Sequence, residues 1–167
     1  MKRRQFIVSA ALFGTTYLLS SKGFAMFGSK KENKFPFQLN TNEWKKRLTK
    51  QQYSILRDHA TERSGSSSLD KNYNKGVYHC AGCDQKLFSS EHKFDSGTGW
   101  PSFYQPLDGV KSTLVGSRED NKLWMKRTEV HCTNCGGHQG HVFSDGPKPT
   151  GLRYCINGVA MIFKPAV

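Results

Sequence analysis

The chain has 167 residues and a formal net charge of +12, and Lys2, Arg3, Arg4 and Lys22 lie among the first 25 residues, which contain no acid. A chain beginning at residue 26 would therefore carry +8. This length suits one domain with a core of its own and excludes a large multidomain assembly. The remaining Lys and Arg residues are scattered, with no run longer than Lys45-Lys46-Arg47, so we expect no nucleic-acid partner.

Residues 1–25 are typical of an export signal. Basic residues precede a moderately apolar run of 14 residues from Phe6 to Leu19, and Ala25 is the predicted cleavage point. This run is short for a membrane span, which needs ~20 residues. The order Arg3-Arg4-Gln5-Phe6-Ile7 resembles a twin-arginine signal, which predicts export in the folded state and a periplasmic location. An uncleaved membrane anchor is the alternative.

Residues 26–40 have no periodicity and are interpreted as a polar linker, so the folded domain is predicted over residues 41–167. Trp44 and Leu48 lie four residues apart on a short predicted helix. Thr49-Lys50-Gln51-Gln52 is a capping box, which predicts a second helix ending near Asp58. The Ser-rich residues 64–68 then predict a flexible loop.

From Gly76 onward, short β-type runs alternate with turns rich in Gly, Pro, Asp and Ser. The runs include Val77-Tyr78-His79, Leu87-Phe88 and Leu123-Trp124-Met125. The predicted fold is therefore mainly β, with antiparallel strands and short N-terminal helices in a single small domain.

Four of the five cysteines form two Cys-x-x-Cys pairs, Cys80 with Cys83 and Cys132 with Cys135. Each pair follows a β-type run and has glycine in it or just after it, which is the pattern of a knuckle that directs two sulfurs at one ion. Two such knuckles supply the four soft ligands that Zn²⁺ prefers, so we predict one structural zinc ion. A pair of disulfides and a redox-active Cys-x-x-Cys are the alternatives.

Cys155 is the one cysteine outside a pair. On an extended strand, Arg153, Cys155 and Asn157 share one face, while Tyr154 and Ile156 share the other. A cation on the same face favours thiolate over thiol, so Cys155 is a candidate nucleophile. The alternative is a buried cysteine that packs as a small apolar side chain.

Two stretches beside the knuckles are dense in residues that carry chemistry. Trp100 lies on a loop between glycine and proline and could form the wall of a binding site or pack beneath the loop. His138 and His141 are candidate acids because four sulfurs already satisfy the metal ion. Asp145 could orient one of these histidines or simply form the turn before Gly146.

Four motifs together resemble the B-type peptide methionine sulfoxide reductases, which reduce methionine-R-sulfoxide. The motifs are residues 97–103 (Gly-Thr-Gly-Trp-Pro-Ser-Phe), 138–143 (His-Gln-Gly-His-Val-Phe), 145–147 (Asp-Gly-Pro) and 153–157 (Arg-Tyr-Cys-Ile-Asn). The resemblance covers about residues 42 to 163. It implies two antiparallel β-sheets with N-terminal helices, held by zinc away from the active site.

The resemblance also implies roles for individual residues. Cys155 takes the position of the nucleophile that becomes a sulfenic acid, and the other family positions supply the substrate pocket and the acid network. These positions are Trp100, His138, His141, Phe143, Asp145, Arg153 and Asn157. Many members have a second, resolving cysteine where this chain has Thr98.

We therefore expect a monomeric enzyme that acts on oxidised protein or peptide and is regenerated by a small thiol or a thioredoxin-like partner. Two other classes compete with this interpretation, a zinc-ribbon binding module and a Cys-x-x-Cys disulfide-exchange protein. A binding module would not require Cys155, and a disulfide-exchange protein would hold no metal when purified.

Overall fold

The computed structural model describes residues 35–121 and 126–167. The predicted export signal, most of the predicted linker and the run Leu123-Trp124-Met125 lie outside these residues. Among the helices that are described, none is both long enough and apolar enough to cross a bilayer.

Two short helices open this part of the chain, and a capping box begins each of them. α1 spans Thr41–Arg47, and the side chain of Asn40 accepts hydrogen bonds from two backbone N–H groups of its first turn. α2 spans Lys50–Leu56 and begins at Thr49, which confirms the capping box predicted there. This helix ends at Leu56 with its C-cap at Arg57, close to the predicted end near Asp58.

The rest of the described chain is built from antiparallel strands, which confirms the predicted fold class. The strands are β1 (Gly76–Cys80), β2 (Lys86–Ser89), β3 (Lys93–Phe94), β4 (Ser102–Phe103), β5 (Val115–Asp120), β6 (Arg127–Cys132), β7 (His138–Phe143), β8 (Arg153–Ile156) and β9 (Met161–Pro165). A three-stranded sheet has the order β2-β1-β9, and a six-stranded sheet has the order β3-β4-β8-β7-β6-β5. Single 3₁₀ turns at Ser90–His92 and Gly158–Ala160 precede β3 and β9.

Aromatic side chains from both sheets form the core between them. Phe103 on β4 stacks on Phe88 of β2 with ring centroids 4.5 Å apart, and it meets Tyr78 of β1 edge-on at 5.0 Å. Tyr154 on β8 adds a tilted contact with Phe88. Since these rings are buried, the two sheets are joined by apolar contact and β8 is fixed in the middle of the larger sheet.

Candidate active site

The two cysteine knuckles converge on one point. The Sγ atoms of Cys80 and Cys135 are 3.7 Å apart, and those of Cys83 and Cys132 are 3.5 Å apart. A tetrahedral ion with metal–sulfur bonds of about 2.3 Å has sulfur–sulfur edges of about 3.8 Å. The four thiols therefore fit a single metal ion shared by the two knuckles, and all four lie within 4.8 Å of one another.

The sulfur contacts run between the knuckles rather than within them. All four cysteines are free, and this arrangement favours a shared ion over the alternative of one disulfide in each Cys-x-x-Cys pair. The helices brace the cluster, because Arg47 donates a hydrogen bond to the carbonyl of Gly82 and Arg57 donates one to the carbonyl of Cys135. Arg57 also lies over the ring of Trp44, 4.8 Å from its centroid.

Cys155 lies on β8 between β4 and β7. In the strand register, Ser102 of β4 lies opposite Cys155 on one side and His141 of β7 lies opposite it on the other. The alternation predicted for this strand is confirmed, since Tyr154 and Ile156 are buried while Cys155 is only half-buried. Cys155 therefore faces away from the core.

A pocket of about 130 Å³ opens over Cys155. It is lined by Thr61, Trp100, Gly140, His141, Phe143, Cys155 and Asn157. Most of the residues predicted for the site from the sequence are thus brought together around one sulfur atom. None of the four cysteines of the two knuckles lines this pocket, as expected if their metal site is structural.

Glycine at position 140 is required by the close approach of β7 to β8. A Cβ atom at this position would lie 2.1 Å from the carbonyl oxygen of Cys155, a distance that no side chain tolerates. Gly140 therefore allows His141 to reach the pocket beside the sulfur.

Glu62 organises the wall of this pocket, although its side chain is 95% buried away from the substrate space. Its carboxylate accepts hydrogen bonds from the backbone N–H groups of Gly158 (2.7 Å) and Val159 (2.9 Å). Its backbone carbonyl accepts one from Trp100 Nε1 (3.1 Å), and its backbone N–H donates one to Asn157 Oδ1 (3.0 Å). One residue thus fixes both the indole and the amide that border the pocket.

Asp145 contacts Arg153 rather than a histidine, so the interpretation of Asp145 as the group that orients one of the histidines is wrong. Its two carboxylate oxygens accept hydrogen bonds from Arg153 Nε (2.9 Å) and Nη2 (2.8 Å). Arg153 also lies over the ring of Phe143, 4.5 Å from its centroid. The physical reason is the geometry of β8, which holds the Arg153 fork against the turn containing Asp145.

Burial raises the pKa of the Cys155 thiol, and contacts with Thr98 and Arg153 offset only part of that effect. The predicted effect of Arg153, which is to favour the thiolate, is confirmed, but the net shift of the Cys155 pKa is upward. Arg153 does favour the thiolate, but its charge is shared with Asp145 and burial has the larger effect.

The two predicted acids on β7 each contact a carboxylate from another strand of the same sheet, β5 for His141 and β6 for His138. His141 Nε2 lies 2.8 Å from Asp120 Oδ2, and the same oxygen accepts a hydrogen bond from Arg127 at 2.8 Å. Burial lowers the pKa of His141, while Asp120 acts against that shift. His141 borders the pocket, whereas His138 lies behind it with 2% of its surface exposed.

His138 belongs to a buried ion network around Glu129. Glu129 Oε1 lies 2.8 Å from His138 Nδ1 and 3.1 Å from His59 Nδ1, and Arg118 forms a salt bridge with the same carboxylate. Burial opposes ionisation of Glu129, but these hydrogen bonds together hold its pKa well below the usual range. A β-bulge between Val130 and His131 shifts the register here.

The side chains of His59, Glu129 and His138 could be taken for a second metal site, since their ligand atoms lie within 4.8 Å of one another. The charges argue for an ion network instead. The Arg118 guanidinium already occupies the carboxylate, and a divalent cation beside it would be repelled. A metal ion on Nδ1 of His138 would also place the ring proton on Nε2. That atom is buried and has no hydrogen-bond partner among the described residues.

The comparisons with known proteins agree with this site. A SelR domain matches residues 48–165. The chain is 53% identical over 123 residues to "Peptide methionine sulfoxide reductase MsrB" of Agrobacterium fabrum, covering 74% of this chain and 89% of that protein. The chain belongs to the MsrB family. Proteins with the same name from Leptospira interrogans (54% over 122 residues; 73% and 91% covered) and Methanosarcina barkeri (57% over 122 residues; 73% and 84% covered) are also similar.

Thr98, the position for which the sequence resemblance implied a resolving cysteine in many members, lies beside Cys155. Its Oγ1 is 4.0 Å from Cys155 Sγ. A side chain at position 98 can therefore reach the sulfur, but threonine cannot form a disulfide with it.

Several residues of this site were not predicted from the sequence. The sequence analysis gave no role in the site to Thr61, Glu62, Asp120 or Glu129. Glu129 carried one usable signal, because it is a charged residue immediately before the apolar Val130 in a strand that leads to a knuckle. Nothing in the sequence indicates which histidine either carboxylate contacts.

Proposed function

We propose that this chain reduces peptide-bound methionine-R-sulfoxide to methionine by nucleophilic attack of Cys155. One observation carries the proposal, namely that Cys155 and His141 lie opposite each other in a small pocket bordered by Trp100 and Phe143. A sulfoxide sulfur becomes a good electrophile only when its oxygen is protonated or strongly hydrogen-bonded. The pocket offers a sulfur nucleophile and a proton donor to one bound sulfoxide.

The reaction balances with one proton and one electron pair. The thiolate of Cys155 forms a bond to the sulfoxide sulfur while the sulfoxide oxygen takes up a proton. The protonated oxygen is then transferred to Cys155 Sγ. The sulfur–oxygen bond of the substrate breaks, a sulfur–oxygen bond to Cys155 forms, and the electron pair of the transient sulfur–sulfur bond stays on the methionine sulfur. Methionine leaves, and the oxygen remains on Cys155 as a sulfenic acid. Trp100 and Phe143 would enclose the methyl group of the substrate.

His141 is the better candidate for the immediate proton donor. It lines the pocket, whereas His138 lies behind it in the network of Glu129. Asp120 engages Nε2 of His141 and acts against the effect of burial, which favours the neutral ring. We assign His138 to the support of this acid, and Asn157 and Arg153 to the positioning of the substrate and the sulfur.

The metal ion is proposed to be zinc, because four thiolates in this geometry form its preferred structural site. When bound, zinc holds the two knuckles together and supplies folding free energy. The residues that would hold it are Cys80, Cys83, Cys132 and Cys135.

Regeneration of Cys155 requires a thiol from outside the chain, because Thr98 cannot resolve the sulfenic acid. Thiol reductants serve the family generally, and we propose a small thiol or a thioredoxin-like protein here. The twin-arginine pattern of the first residues supports a location outside the cytoplasm, where oxidised proteins would be the substrate.

A turnover assay on separated R and S sulfoxides of a methionine-containing peptide tests the proposal. We expect reduction of the R form only, and loss of all activity in Cys155→Ser with metal content and fold unchanged. Reduction that persists in Cys155→Ser would contradict the assignment, as would exclusive use of the S form. A disulfide-exchange protein would instead purify without metal and reduce neither form.

A further inference from the structure

A chain of three hydroxyl groups leads from the Cys155 sulfur to a backbone carbonyl. Thr98 Oγ1, 4.0 Å from Cys155 Sγ, is 2.8 Å from Ser96 Oγ. Ser96 Oγ is 2.7 Å from Ser102 Oγ, and Ser102 donates a hydrogen bond to the carbonyl of Trp100 at 3.1 Å. Ser102 is fully buried, so this end of the chain is shielded from water.

Two hydrogen bonds from the adjacent residues Ser64 and Gly65 hold the loop that carries Thr98. Ser64 donates a hydrogen bond to the carbonyl of Thr98 (2.7 Å), and the N–H of Gly65 donates one to the carbonyl of Gly99 (2.7 Å). Gly99 has a φ of +83°, and a Cβ there would lie 2.2 Å from Ser64 Oγ. The position of Thr98 relative to the sulfur is therefore set by backbone contacts.

The number of protons on these groups decides in which direction the hydroxyls donate their hydrogen bonds. That number depends on whether Cys155 is a thiol or a thiolate. Four contacts join the sulfur, the three hydroxyls and the Trp100 carbonyl. With a Cys155 thiol, four protons fill the four contacts and every group donates toward Trp100. With a thiolate, only three protons remain, so one contact must lose its hydrogen bond.

We propose that Thr98 donates a hydrogen bond to the Cys155 thiolate. Ionisation of Cys155 then reverses the donor direction of the hydrogen bonds among the three hydroxyl groups. Ser96 then donates to Thr98, Ser102 donates to Ser96, and the hydrogen bond from Ser102 to the Trp100 carbonyl is given up. Thr98 thus replaces the resolving cysteine of its relatives with a neutral group that stabilises the nucleophile. The importance of this role for catalysis rests on the proposed function, but the hydrogen bond itself does not.

Few other groups around Cys155 can stabilise a thiolate. β7 presents His141, β8 itself presents Arg153 in its salt bridge with Asp145, and β4 presents the neutral Ser102. Burial favours the thiol. A neutral donor held against the sulfur therefore has a measurable effect on the thiolate population.

The pH dependence of Cys155 alkylation by iodoacetamide tests the inference, with the adduct at Cys155 quantified by mass spectrometry in the full metal-loaded protein. We expect Thr98→Val to raise the midpoint by roughly 0.5 to 1 pH unit, which lowers the thiolate fraction about three- to tenfold below the midpoint. Thr98→Ser should keep the wild-type midpoint. The matched control Thr113→Val, at an exposed position away from the pocket, should also leave it unchanged.

Ser96→Ala interrupts the chain without touching the sulfur and should raise the midpoint by a smaller amount. It keeps the test decisive if Thr98→Val fails to fold. Wild-type midpoints in both Thr98→Val and Ser96→Ala would overturn the inference. Alkylation requires no sulfoxide, so this outcome is distinguishable from failure of the proposed function, which the turnover assay reports separately.

Discussion

Cys155 lies opposite His141 in the register of β7 and β8, and His141 in turn contacts the carboxylate of Asp120 at 2.8 Å. The nucleophile and its candidate acid are thus positioned by backbone pairing within one sheet. Backbone pairing fixes the separation of their Cα atoms, and the contact with Asp120 restrains the ring of His141, which suits a reaction that needs both groups at once.

Asp120→Asn should shift the pH dependence of kcat. Burial lowers the pKa of His141, and Asp120 opposes that shift because it stabilises the charged ring. Without the carboxylate the pKa falls further, so the donor loses its proton at lower pH. The alkaline limb of the pH profile of kcat should therefore shift to lower pH by about one unit. Glu119→Gln, which neutralises the neighbouring exposed carboxylate, is the control and should leave the limb in place; an unmoved limb in Asp120→Asn would exclude His141 as the donor.

Cys80→Ser should abolish metal binding and unfold much of the domain, because structural zinc supplies ~10 kcal/mol or more of binding free energy in small sites. Metal analysis and thermal unfolding measure the two effects. Cys155→Ser is the matched control and should retain both the ion and the melting temperature. A Cys80→Ser protein that stays folded and active without metal would show that the knuckles have no structural role.

Thr98→Cys should create an internal disulfide. After one turnover without reductant, we expect Cys155 of the wild type to remain a sulfenic acid that a dimedone-type probe labels. Position 98 lies close enough to Cys155 for a cysteine there to react with it, so labelling should disappear in Thr98→Cys. If mass spectrometry instead finds wild-type Cys155 bonded to Cys80, Cys83, Cys132 or Cys135 with metal released, the metal site is a redox partner.

Glu62→Gln should destabilise the protein by ~1–3 kcal/mol, because the new amide N–H₂ would face one of the two backbone N–H groups that the carboxylate now satisfies. Denaturant unfolding measures the loss, and kcat/KM should also fall since Glu62 holds Trp100 and Asn157. Glu91→Gln, on the exposed 3₁₀ turn, should change neither quantity. Equal stability of Glu62→Gln and wild type would contradict the role given to this carboxylate.

A fusion of residues 1–30 to a reporter should be exported, and replacement of Arg3-Arg4 by Lys-Lys should stop that export if the twin-arginine route is used. Fractionation of cells measures both. Unchanged export of the Lys-Lys fusion would favour the general secretory route, and retention of the native fusion in the cytoplasm would exclude the export signal.

Local patterns were the reliable part of the sequence analysis. The capping box at Thr49, the knuckle spacing and the alternation around Cys155 each depend on a few adjacent residues, and the structure confirms the elements they predicted. Long and jointly specific motifs also placed Trp100 and His141 in the pocket before any geometry was known.

Contacts between strands were beyond that analysis. Asp145 is close in sequence to both histidines, yet it contacts Arg153, while the carboxylates that contact the histidines come from β5 and β6. Their partners depend on strand register and on the bulge between Val130 and His131, and no local pattern encodes either. The net rise in the pKa of Cys155 was missed for a similar reason, since burial is set by tertiary packing.

The pairing of β1 with β9 joins Gly76 to Pro165, near the end of the chain. During synthesis the smaller sheet therefore cannot close until residues 161–165 have left the ribosome. A premature stop before Met161 would remove an entire strand and leave β1 as an exposed edge next to Cys80, with unpaired backbone groups open to other chains. Truncation immediately before β9 should therefore yield an aggregating product rather than a weaker enzyme.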